Sequence, residues 1–429
     1  MSVTPDAIEE TFSLRRSLLL SFALALAAAL AGCGGSSNNP NQGKLTKLQF
    51  RAFVANASQA ALHIVDETKD QQFTTFDQTT GLVSAGNITI TGSSGLSASP
   101  AYIVRTGNLT LAATQGSGST GVSIIDNTQE QQTAEVALPA FADSLVVTSD
   151  SKTAYAAMSA TGQVAVIDIA TAAVTANLSI GGVNALVIAP DNSKVLAFSI
   201  DQPTVNVIKT SDNTVTQITG LTSPVGGVIS SDNTKAYIFN CGPECGAVTP
   251  ASVSQVDLTA SPATVTTTVP VEGATVGFLD SSGNLFVAGS PGSGAGTGRL
   301  DVITVANMTV AKSGISISDG FHTLMVAGPT GKLYIGARNC TFTSTQTAAT
   351  ACLSIFDPSN GNTVVNANIP PALSTNGVVT AVTPVTAKDR NVIYAAIGGQ
   401  FVILDGATDQ PTANQIDFAG TIVDVKSAQ

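Results

Sequence analysis

The chain has no tryptophan, only two histidines, five tyrosines and four methionines in 429 residues, and just 11% of it is charged. With His63 and His322 as the whole histidine complement, a helix-borne zinc pair is excluded, and no nucleophile elbow is present. Basic residues number 18 against 29 acidic ones, a formal balance of −11 that would repel phosphate backbones and argues against nucleic acid as a partner. The apolar run at residues 17–31 is shorter than the roughly 20 residues a membrane-spanning helix needs. After it no helical periodicity recurs. What the chain does have is 43% hydrophobic residues, mainly Val, Ile, Ala and Leu, in a background of Thr, Ser and Gly. That is enough to bury a large core, and its β-branched members favour strands.

Eight short segments of one kind punctuate that background. They read LHIVD (62–66), VSIID (122–126), VAVID (164–168), VNVIK (205–209), VSQVD (253–257), LDVIT (300–304), LSIFD (353–357) and FVILD (401–405). In the middle of the chain a turn precedes each: Ser149-Asp150-Ser151-Lys152, then Asp191-Asn192-Ser193-Lys194, then Asp232-Asn233-Thr234-Lys235. Asp150, Asp191 and Asp232 are 41 residues apart each time. Asp and Asn suit such turns because their side chains bond the local backbone and tolerate left-handed angles. Weaker copies fall at Asp280–Asn284, 329–332 and 388–391. A period in the forties with four strands, A to D, per unit specifies a β-propeller.

The turn, a strand such as Phe53-Val54-Ala55-Asn56 and the recurring VAVID strand together resemble the YVTN-type β-propeller repeat family, with Pro190-Asp191-Asn192 matching its turn. The likeness covers about residues 48–426. We therefore expect an all-β chain, one propeller of four-stranded antiparallel blades over residues 48–429, with eight blades and seven as the alternative. The first strand, 51–55, has no A strand before it, and TIVDV (421–425) has no successor. If the last segment joins the first blade, the ring closes without a long exposed sheet edge.

Arg15, Arg16 and the apolar run have the layout of an export signal over residues 1–32. Leu30-Ala31-Gly32-Cys33 resembles the lipobox of bacterial lipoproteins, which implies lipidation of Cys33 and a membrane anchor, followed by a flexible tether through residue 47. An exported chain can oxidise its other cysteines. Cys340 and Cys352 flank one B–C hairpin, and Cys241 and Cys245 both follow the B strand at 236–240, so pairings 241–245 and 340–352 are expected, with no metal site.

In propellers the B–C and D–A loops share one face. Here the B–C loops at 240–252, 289–299 and 339–351 are the irregular ones, while the A–B turns stay short. That asymmetry makes Glu244, Arg299, Arg338 and Phe342, with Asp319, Phe321 and His322 from a D–A loop, the candidate binding face. His63 reads as a satisfied strand residue. Gly116-Ser117-Gly118-Ser119-Thr120-Gly121 fits the dinucleotide glycine pattern, but a strand follows it, so it reads as a hairpin loop. The expectation is a monomeric, non-enzymatic envelope scaffold without a cofactor, taking a protein, peptide or polysaccharide. Propellers resembling this one include lactonases, which makes an enzyme one alternative, and the abundance of Thr, Ser and Gly would suit a surface-layer or adhesion component as another. Quinone sites commonly stack their cofactor on tryptophan, which is missing here.

Overall fold

In the computed structural model, which describes residues 46–428 except 77–82, 117–118, 293–296, 339, 342–350, 366, 368–376 and 388, the repeat resolves into eight four-stranded antiparallel blades. Blade 3 shows the pattern: strand A is Ser144–Val147, B is Thr153–Met158, C is Gln163–Asp168 and D is Ala173–Ser179, hydrogen-bonded in that order. Blades 2 to 8 occupy residues 99–137, 144–179, 183–218, 224–270, 276–316, 321–364 and 379–411. The expected signal segment, Cys33 and the expected tether as far as residue 45 lie outside the described residues.

Blade 1 is assembled from both ends of this domain. Its B strand, Arg51–Asn56, pairs antiparallel with Ala61–Asp66 on one side and with the last strand, Ile422–Ala428, on the other. The A strands of successive blades touch all the way round, from the last strand through blades 2 to 8 and back, so the circle is closed. Blade 1 departs from the repeat in its outer strand. That strand is split into Gln71–Gln72 and Asn87–Thr89, both pairing with strand C, and a small hairpin, Thr74–Phe76 with Val83–Ala85, lies between them. In blade 2, strands B and C pair as far as Gly116 opposite Ser119, so the glycine-rich segment lies at a B–C connection.

The hydrophobic residues separate into eight clusters, one for each pair of neighbouring blades. Period two along a strand makes this happen. Phe53 and Ala55 face blade 2, while Ala52 and Val54 face blade 8. A strand sandwiched between two other sheets is buried on both faces, which is why B and C strands read as unbroken apolar runs rather than alternating ones. The outermost strand of blade 3 alternates exposed and half-buried residues instead.

The Asp that ends most of the recurring C strands is consumed by local structure. Asp66, Asp126, Asp257 and Asp405 each accept the backbone N–H two residues on, at 2.7–2.8 Å, turning strand C into strand D. The A–B turns repeat the device at Asp150, Asp191, Asp232 and Asp280, with N–H contacts of 2.8–3.2 Å. Ser230 and Thr234 bond the Asp232 carboxylate and hold its pKa down at about 2. Ser151, Asn192, Asn233, Gly283, Gly331 and Asp389 take left-handed φ at one equivalent place in these turns. The Asn side chains then link one turn to the next: Asn192 Oδ1 accepts from Ser149 N, and Asn233 Oδ1 from Asp191 N.

A second recurring position is a left-handed residue closing the C–D turn of every blade but the fifth, and several of these reach the preceding blade. Tyr155 of blade 3 donates to Asn213 of blade 4, Tyr334 of blade 7 to Asp409 of blade 8, and Tyr394 of blade 8 to Asp70 of blade 1. Arg390 also pairs with Asp70, and Arg51 of blade 1 with Glu130 of blade 2. These contacts fasten blade to blade on the short-turn face.

Candidate functional site

Strand direction puts the A–B and C–D turns on one face and the B–C and D–A loops on the other. On the loop face, blades 5 to 7 carry the irregular connections. In blade 5 the loop after Lys235–Asn240 forms one 3₁₀ turn, Gly242–Cys245, closed by the disulfide Cys241–Cys245. Gly242 has φ of +71° and lies so close to the backbone of Ala251 that an added Cβ would meet it at 2.5 Å; only glycine fits there. The turn aims the Glu244 carboxylate across to blade 6, where Ser290 N–H donates to it at 2.8 Å. Ser290 Oγ in turn donates to Gly320 O of the D–A loop before blade 7, at 3.4 Å. In blade 7 the disulfide Cys340–Cys352 closes the mouth of the B–C loop. Both expected pairings are present. They fit an oxidising environment outside the cytoplasm.

The named candidates part into two groups. Phe321 and Arg338 are exposed and stand directly opposite each other across strands A and B of blade 7, at the rim. Glu244 is half-buried and engaged with Ser290. Arg299 pairs with Glu272 at 3.3 Å. Asp319 and His322 are corrections: both are buried, so neither offers itself to a partner. Asp319 Oδ1 accepts Thr341 N–H at 2.9 Å and shapes the loop. His322 lies in strand A, Phe321–Ala327, not in the D–A loop, and alternation turns it inward next to the outward Phe321. Phe342 lies outside the described residues. His63 is buried, bonded by Asn56 and Asn87, and its ring lies 4.8 Å from that of Phe418. Ser290 and Gly320 gave no signal in the sequence, because the Ser290 N–H and the Gly320 carbonyl that make these contacts are backbone groups.

Glu244 and His322 titrate in opposite senses. Burial pushes the Glu244 carboxyl up to about 7, with the Ser290 N–H offsetting part of that. Burial drives His322 down to about 4. Its Nε2 lies 2.8 Å from Ser318 O, an acceptor only, so that nitrogen carries the proton and the buried Nδ1 has no partner. Between the ordinary carboxylate value and pH 7 the folded protein holds a proton on Glu244 that the unfolded chain has lost, so this residue makes stability fall as pH rises through that window. His322 is neutral in the fold where the unfolded chain protonates, so it makes stability fall as pH drops from about 6.5 to 4. The two contributions oppose each other. Relative to the parent, Glu244→Gln is expected to gain about 1–2 kcal/mol between pH 5 and 7.5, a figure discounted for partial exposure. His322→Asn is expected to lose less than the parent on acidification, by about 2 kcal/mol between pH 7 and 4. Urea titrations across that range would show it, and parallel curves for parent and variants would refute the assignment.

Among the described residues, no three His, Cys, Asp or Glu side chains come together in a way that could hold a metal ion. No protein-family model and no curated protein matches the chain. Among solved structures it is similar to the dihydro-heme d1 dehydrogenase NirN in complex with DHE, at 12% identity and TM-score 0.61, over 89% of this chain and 76% of that one. It is also similar to the C-terminal WD40 domain of Sif2, at 8% identity and TM-score 0.59, over 84% and 94%. The Kuenenia stuttgartiensis hydrazine synthase matches at 18% identity and TM-score 0.51, over 75% and 96%. At such identities the likeness is one of fold, and the fold these comparisons share with the chain is the β-propeller.

Proposed function

We propose that the protein is a non-enzymatic binding module of the cell envelope, anchored by lipid at Cys33, which takes a protein, peptide or polysaccharide partner on its loop face at blades 5 to 7. The observation that carries this reading is an asymmetry between the faces. On the short-turn face the repeated carboxylates are committed to turns. On the other face, two disulfide-closed loops flank an exposed aromatic and an exposed guanidinium, Phe321 and Arg338, opposed in register. Aromatic and Arg side chains are the residue types that most often anchor an interface. Propeller enzymes share the scaffold, but fold alone assigns no reaction.

The test is quantitative recovery of envelope components on immobilised parent protein and on a Phe321→Ala/Arg338→Glu variant. Both side chains are exposed, so the variant is expected to keep the parent melting temperature. A component retained by the parent and depleted about tenfold or more by the variant is the expected result, as loss of an aromatic and an Arg contact predicts. Equal recovery on both would overturn the assignment of this face.

A further inference from the structure

On the opposite face, blade 1 lacks an A–B turn, because its A strand comes from Ile422–Ala428 and its B strand from Arg51–Asn56. Where the other blades have a hairpin, a cavity of about 420 Å³ opens between blades 8, 1 and 2, lined by Arg105, Gly107, Thr383, Thr386, Lys426 and Ser427, with Pro384 on one wall. Its size falls in the range of small-molecule sites.

The polarity of the lining is one-sided. Thr383 Oγ1 donates to Val425 O at 2.6 Å, Thr386 Oγ1 to Glu67 Oε2 at 3.0 Å, and Ser427 Oγ to Pro384 O at 3.1 Å. Each hydroxyl proton is thus committed within the protein, and what the three oxygens have left to offer is lone pairs. The donors are the two cations. Lys426 Nζ lies 2.6 Å from Asp424 and keeps further N–H bonds, while the exposed guanidinium of Arg105 makes no hydrogen bond or ion pair among the described residues. Glu67 stands behind Thr386, fully buried, and burial raises its pKa, which lessens its repulsion of an anion.

We infer that this cavity binds a polyhydroxylated carboxylate, a sugar acid of the uronate type. Its carboxylate would take the planar N–H fork of Arg105, and its hydroxyl hydrogens would be received by Thr383, Thr386 and Ser427. A carboxylate matches the guanidinium in a bidentate fashion. A ligand without hydroxyl groups leaves the acceptor wall unmet, and a neutral sugar leaves Arg105 unmet.

Calorimetric titration of the purified protein at low ionic strength tests both halves, with glucuronate, trigalacturonate, acetate and glucose as probes. Glucuronate or trigalacturonate is expected to bind, with acetate and glucose each weaker by about tenfold or more, acetate through loss of the hydroxyl contacts and glucose through loss of the charge-assisted one. Tighter binding of trigalacturonate would mark an acidic polysaccharide as the source, and equal binding a free sugar acid. Arg105→Ala, at an exposed position, is expected to fold normally and to lose binding about tenfold. Binding of glucose or acetate equal to that of glucuronate, no binding by either uronate, or an Arg105→Ala variant that binds like the parent would each overturn the inference. The loop-face variant Phe321→Ala/Arg338→Glu should bind glucuronate normally, so the two sites fail separately.

Discussion

Removal of residues 421–429 is expected to leave a chain that no longer unfolds cooperatively and that aggregates on purification. The last strand pairs with Arg51–Asn56 from Ala428 opposite Arg51 to Ile422 opposite Asn56. Its residues Ile422 and Val425 belong to the seam between blades 8 and 1, and Ala428 to the seam between blades 1 and 2. Asp424 accepts the backbone N–H of Ile103 in blade 2 at 2.8 Å, and Ser427 donates to Pro384 in blade 8. Burial of each large aliphatic side chain contributes about 1.5–3 kcal/mol, against a total stability of about 5–15 kcal/mol for a domain. The loss does not end with the strand. Without it the central B strand of blade 1 becomes an edge with unpaired backbone groups, which invites association with other chains. Near-ultraviolet circular dichroism, urea unfolding and size-exclusion chromatography would show the change, and a synthetic peptide of residues 420–429 added during refolding should restore part of it. A truncated chain that melts in one transition close to that of the parent would mean the ring is held by its other seams.

That closure could be read from the sequence because it rests on counting strands: a B strand without a predecessor at 51–55 and an A strand without a successor at 421–425. The blade number was legible for a related reason. Asp150, Asp191 and Asp232 recur because a left-handed residue must follow each of them in the turn, at Ser151, Asn192 and Asn233, and few residue types accept both demands. The split outer strand of blade 1 was not legible. Nothing in residues 71–89 distinguishes a strand interrupted by a hairpin from a drifting repeat. Nor was the inward turn of His322. Its neighbours Phe321 and Thr323 gave no clear alternation, and the D–A connection could have ended one residue later. At the loop face, the rim position of Phe321 and Arg338 was legible, although they are the first residue of strand A and the last of strand B rather than loop residues. Glu244 meeting Ser290 depended on a backbone N–H in another blade, which has no signature in sequence. The cavity beside Arg105 is similar in kind, since it exists because two distant segments share one blade and leave no turn between their strands.

Glu130→Ala is expected to destabilise the protein by about 3–5 kcal/mol, the cost of leaving a buried charge without its partner. Arg51 and Glu130 are both nearly inaccessible, with side-chain exposures of 3% and 0%, and Arg51 Nε lies 3.0 Å from Glu130 Oε1. The guanidinium also donates to Leu48 O at 2.9 Å and to Asn127 O, and lies over the Phe53 ring, so it cannot swing out to water without giving up those contacts. Burial lowers the Arg51 pKa, yet an arginine does not shed its proton at neutral pH, so the charge persists in the variant. Glu130 in addition holds Thr46 through both its N–H and its hydroxyl, at 2.5 and 2.6 Å, which fixes the segment leading into blade 1. Replacing both partners separates the two roles. Arg51→Met/Glu130→Leu removes the charges and fills their volume, and is expected to recover about half or more of the single-variant loss, because well-packed apolar pairs commonly match buried ion pairs. The remainder measures the anchoring of Thr46. Urea midpoints for the parent, Arg51→Met, Glu130→Leu and the double variant close the cycle. If Glu130→Ala alone costs less than about 1 kcal/mol, as an exposed pair would, the seam between blades 1 and 2 is held by its apolar cluster, and the ion pair is incidental to closing the ring.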